Sequence, residues 1–97
     1  MSLIEITTFR LVPDAQEEAF LDADRRFQTE VIPNHAGFVR RTTARGDDGE
    51  WLVMVLWRST QDADASGRLA SDHPVTHELN ALVDGATVRT TRHTTLD

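Results

Sequence analysis

The chain has 97 residues, a formal charge of −6 and 39% hydrophobic residues, enough for one domain (1–97) with a thin core. That acidic balance argues against nucleic acid as a partner, because neutralising phosphates needs a clustered basic surface. All ten basic residues are arginine, and lysine, cysteine and tyrosine are absent, which removes lysine Schiff bases, thiolate chemistry, disulfides and a phenolic acid or base.

Residues 3–12, LIEITTFRLV, are β-branched and apolar and stop at Pro13, predicting a first strand. Pro13-Asp14 then opens a helix, with Glu17 and Glu18 in its first turn, where carboxylates complement the helix dipole. Ala19, Phe20, Ala23, Phe27 and Val31 fall on one stripe, while Asp22, Arg25, Arg26 and Gln28 mostly face away, and the helix ends near Ile32, before Pro33. A turn over 33–37 leads to a second strand from Phe38 to Arg45, and Gly46-Asp47-Asp48-Gly49 makes a hairpin loop.

Residues 50–58, EWLVMVLWR, form the third strand, with Trp51, Val53, Val55 and Trp57 on one face and Leu52, Met54 and Leu56 on the other. A strand apolar on both faces must be covered on both. Helices of this chain cover one; a sheet from a second copy is the economical cover for the other. A helical region from Thr60 to Val83 is interrupted at Pro74, with Ser71 or Asp72 available as a cap. Gly85 ends it, and Ala86 to Thr94 is the last strand. The order β-α-β-β-α-β is ferredoxin-like, an α+β fold with a four-stranded antiparallel sheet. No apolar run approaches the ~18 residues of a membrane span, and no basic segment precedes a long apolar one, so a cytoplasmic protein is expected.

Short motifs lie along this frame: Ala36-Gly37-Phe38 before the second strand, Trp57-Arg58-Ser59 closing the third, and Ser71-Asp72-His73-Pro74 with His77 at the helix break. They resemble the Pro-Gly-Phe, Trp-x-Ser and broken-helix histidine of the antibiotic biosynthesis monooxygenase-like proteins, within the dimeric α/β-barrel superfamily. The resemblance implies a homodimer whose two sheets face each other as a barrel, with a small pocket between sheet and helices in each subunit. It also implies cofactor-independent monooxygenation of a small aromatic or quinol-type metabolite. The alternative is a non-catalytic module that binds a small ligand or only dimerises.

In cofactor-free oxygenation the deprotonated substrate itself reduces O₂, and the protein supplies a dry pocket, a base and donors for the anion. The candidate bases are His35, His73 and His77, since imidazole titrates near neutrality. The candidate anion partners are Arg10, Arg40, Arg41 and Arg92. Adjacent strand residues face opposite ways, so only one of Arg40 and Arg41 can point inward. Trp57 as pocket wall, with Arg40 and Arg92, completes the expected substrate-binding set. The plainer reading makes the arginines surface partners of the sixteen acids and gives Trp51 and Trp57 to packing.

His73 and His77 share a helical face with Asn80 and have the spacing for a shared metal or an axial haem ligand. That face lies opposite the Val75, Leu79 and Leu82 stripe, so a solvated pair is the simpler reading. No third ligand is evident, and no metal is expected. The haem-degrading relatives carry an Asn on the first strand, a Trp in the second helix and a His near its end. His77 is similar to the last, but Thr7 and Thr8 stand at the first position and Gly67-Arg68 at the second. No cofactor is expected.

Overall fold

A computed structural model describes residues 1–97. Strands β1 (Leu3–Leu11), β2 (Phe38–Arg45), β3 (Trp51–Trp57) and β4 (Val83–Thr94) form one antiparallel sheet in the order β2-β3-β1-β4. Helix α1 (Glu17–Arg26) connects β1 to β2, and α2 (Thr60–Ala70) with α3 (Pro74–Leu82) connects β3 to β4. This is the expected ferredoxin-like arrangement. No helix is long and apolar enough to cross a membrane.

The register assigns every strand residue to a face. Leu3, Glu5, Thr7 and Phe9 stand beside Trp57, Val55, Val53 and Trp51. Those four β3 side chains are buried, in a cluster with Phe20 of α1 and Ala63 of α2, so this is the helix-covered face. Phe20 has no solvent exposure and contacts both Phe9 and Trp51, with ring centroids 5.6 and 4.7 Å away. Burying such a ring contributes about 1.5–3 kcal/mol. Ile4, Ile6, Leu52, Met54 and Leu56 share the other face, are only half-buried, and have no helix over them.

Several boundaries differ from the sequence reading. Pro13-Asp14 does not open α1; it forms a turn closed by the Ala15 N–H donating to the Val12 carbonyl at 3.0 Å, and α1 begins at Glu17 after Gln16. Proline's fixed φ suits the second position of a turn as well as a helix start. Beyond Arg26 the helix widens into one π turn, Phe27–Val31, and tightens into a 3₁₀ turn, Ile32–Asn34. The cap of α3 is neither Ser71 nor Asp72 but His73, whose Nδ1 accepts from the Val75 N–H at 3.1 Å. Gly85 is not a terminator. It lies inside β4, in an irregularity where the pairing passes from Thr8–Arg89 to Arg10–Asp84.

Candidate functional site

A cavity of about 780 Å³ lies between the sheet and the helices. Its walls are largely apolar, with Phe9, Phe20, Phe27, Val53, Val55 and Leu79 among them. α2 presents only small residues inward at its buried positions (Ala63, Ser66 and Ala70), so the space under it is not filled by side chains. Concave, mostly apolar and carrying a few placed polar groups, it has the form of a small-molecule site.

Two of those polar groups have no partner within the chain. The Trp57 indole Nε1 and the Thr76 hydroxyl are fully buried and unbonded, and both residues line the cavity. A buried polar group left unmatched costs about 1–3 kcal/mol. Trp57 also packs, at 2% exposure and edge-on to Phe38 with centroids 5.9 Å apart, as expected of a wall residue.

An ion pair sits in the cavity wall. Arg41 donates to Asp24 at 2.7 Å and to Gln28 at 3.1 Å, while the Thr43 hydroxyl donates to the other Asp24 oxygen at 2.8 Å. The guanidinium carbon lies 4.9 Å from the Phe27 ring centre, on its face. The arginine side chain is 4% exposed and the aspartate 12%, so each charge depends on the other for solvation. Arg40, expected in the site, does not line the cavity. The pairing shifts between Phe38 and Arg40, so Arg40 stands beside Leu56 on the open face and Arg41 turns inward beside Val55. Arg92 lines the cavity at a partly exposed rim, bridging Glu5 of β1 at 2.9 Å and Asp64 of α2 at 2.8 Å. These two carboxylates hold its guanidinium more firmly protonated than usual, Asp64 contributing most. Arg10 lies at the hairpin loop, paired with Asp48 at 3.0 Å.

None of the four histidines lines the cavity. His77 is exposed, with its Nε2 bonded to the Ser71 carbonyl at 2.8 Å, and half-buried His73 caps α3. His93 faces the open side, bonded to Thr91. His35 is half-buried, and its Nδ1 lies 2.6 Å from the hydroxyl of Ser66, a residue of the cavity wall. Burial, and then the nearby His73, pull its basicity below the ordinary imidazole value.

The turn carrying His35 is fixed. Gly37 adopts φ +79°, and a Cβ there would fall 2.1 Å from an Asp62 carboxylate oxygen. Only glycine satisfies both the backbone and the contact. The Gly37 carbonyl accepts from the Arg58 N–H at 2.8 Å, and Ser59 caps α2 by accepting from the Asp62 N–H at 3.1 Å. The Ala-Gly-Phe and Trp-Arg-Ser motifs therefore meet at one corner.

The chain matches no protein-family model and no curated protein. Among solved structures it is similar to SnoaB, a cofactor-independent oxygenase from Streptomyces nogalater, with TM-score 0.80 and 17% identity over 99% of this chain and 94% of that one. Rv0793 from Mycobacterium tuberculosis gives 0.74 and 20% over 100% and 97%. A candidate antibiotic biosynthesis monooxygenase from Nitrosomonas europaea gives 0.79 and 16% over 98% and 90%. The fold is that of the antibiotic biosynthesis monooxygenases. Of the features quoted for the family's haem-degrading branch, His77 bonds a backbone carbonyl on the outer surface, and Gly67-Arg68 supplies no ring to the cavity. These residues do not fit a haem.

Asp24, Ser66 and Thr76 are wall residues that the sequence reading missed. Asp24 stands next to the apolar stripe of α1, and nothing local distinguishes it from Asp22, which is exposed and paired with Arg25 and Arg26. Ser66 did carry a signal, a serine inside a helix whose other buried positions are alanine.

Proposed function

We propose that this protein is a cofactor-independent monooxygenase-like enzyme that oxidises a small aromatic or quinol-type molecule held between sheet and helices. The largely apolar cavity between sheet and helices, walled by Phe9, Phe20, Phe27 and Trp57 with Ser66 and Arg92 at its polar positions, supports this reading most directly. The apolar walls suit an aromatic ring, and a water-poor site raises the reducing power of a phenolate by stripping its hydration. For a methylene flanked by aromatic rings, one oxygen atom of O₂ becomes the product carbonyl. The other leaves as water, and the substrate supplies all four electrons. We further infer that a second copy covers the half-buried face formed by Ile4, Ile6, Leu52, Met54 and Leu56.

Oxygen uptake by the purified protein against a panel of anthrones, quinols and catechols tests the enzymatic reading. Consumption with one class, reduced by Trp57→Phe, is expected; no consumption with any member sinks it. The absence of histidine from the cavity wall favours a second reading, a non-catalytic ligand-binding module. That reading predicts ring compounds bound at micromolar concentration with no oxygen consumed.

A further inference from the structure

We propose that Ser66 and His35 form a proton relay from the cavity to the outer surface, with Ser66 as the group that meets the substrate hydroxyl. The inference rests on the cavity being where that hydroxyl ionises. A serine inside a helix ordinarily returns its hydroxyl to the carbonyl four residues earlier. Ser66, buried at 5% exposure, instead lies 2.6 Å from His35 Nδ1, across a contact between α2 and the Gly37 turn. One residue thus borders the cavity on one side and a half-buried imidazole on the other.

The transfer balances without a cofactor. The substrate O–H donates to Ser66 Oγ as the Ser66 O–H passes its proton to the bare Nδ1 of His35. The serine ends unchanged, the imidazole becomes imidazolium, and the electron pair stays on the substrate as phenolate. The phenolate then accepts a hydrogen bond from Ser66, which itself accepts from His35 Nδ1–H. Because burial and His73 weaken His35 as a base, the imidazolium gives its Nε2 proton to solvent readily. Exchange of the remaining Nδ1 proton with water, which reprotonates Nε2, restores the resting ring before the next turnover. The scheme requires His35 to rest as the Nε2–H tautomer.

The test uses the full chain and a nitrophenol, whose phenolate is coloured and whose phenol is not. At a pH where the free probe is mostly neutral, the wild type is expected to bind it as phenolate. Ser66→Ala and His35→Asn should each lower the bound phenolate-to-phenol ratio about tenfold. The asparagine keeps a hydrogen bond to Ser66 but accepts no proton. Groups acting in series are not additive, so the double variant should match either single one. Binding with an unchanged ratio overturns the relay and leaves the proposed function standing. No binding of any ring compound overturns both. Independently of any variant, nitrogen-correlated NMR of wild-type His35 should show an unprotonated Nδ1; a protonated Nδ1 in the free protein overturns the relay.

Discussion

The two faces of the sheet carry similar apolar residues and differ in what stands among them. On the helix-covered face, Val53, Val55 and Trp57 are interrupted by polar groups that are either satisfied, as Arg41 with Asp24, or conspicuously not, as Trp57 Nε1. On the open face, Ile4, Ile6, Leu52, Met54 and Leu56 form an apolar centre bordered by Arg40, Thr42, Arg89 and Thr91, with no cavity. The same alternating strands thus produce a face shaped for a small molecule and a face shaped for a flat partner. What separates them is which face the small-residue side of α2 lies over.

The sharpest way to break the contrast is to unbalance the buried pair. Arg41→Met leaves Asp24 charged without a counterion, and denaturant unfolding should show a loss of about 3–5 kcal/mol. Adding Asp24→Leu to it should recover most of that loss. On the open face, Met54→Asp should leave unfolding of the monomer nearly unchanged. It should move light scattering from twice 10.9 kDa to that mass itself. A wild type that scatters as a monomer removes the proposed dimer. Gly37→Ala, at the corner that holds His35, should cost about 2 kcal/mol through its positive φ and the Asp62 contact.

A pH scan sharpens the contrast more gently. His35 is a weaker base folded than unfolded, where its ordinary value is near 6.5. In acid, the unfolded chain therefore binds the proton more readily. His35's contribution is complete above about 6.5, and stability falls as pH drops below that value. His35→Asn should flatten that limb relative to wild type. The smallest effect belongs to the surface pairs: Arg45→Ala, which frees Glu17, should change stability by no more than about 0.5 kcal/mol in the same unfolding assay.

The fold was legible because β3 declares two apolar faces and Pro33 and Pro74 punctuate the helices where backbone donors run out. The site was legible only in part. Strict alternation counted from Phe38 places Arg40 inward, and one bulge reverses the choice to Arg41. A bulge belongs to the pairing of two strands, here the two arms of one hairpin, so the residues of β2 read by themselves hold no mark of it. The histidines were attractive as titratable groups, yet α3 presents Val75 inward and His77 outward. The link from His35 to the cavity runs through Ser66, thirty-one residues away in sequence, a distance no spacing rule spans.

Both lateral margins of the sheet are irregular: β2 is bulged between Phe38 and Arg40, and β4 between its pairings with Thr8 and Arg10. An incoming strand would have to match an interrupted ladder studded with arginine and threonine, so growth by strand addition is disfavoured at either edge. Association directed through a face saturates once that face is covered, whereas association along an edge propagates. This protein should therefore stay clear at high concentration and resist fibril formation, even when the open face is left unmatched.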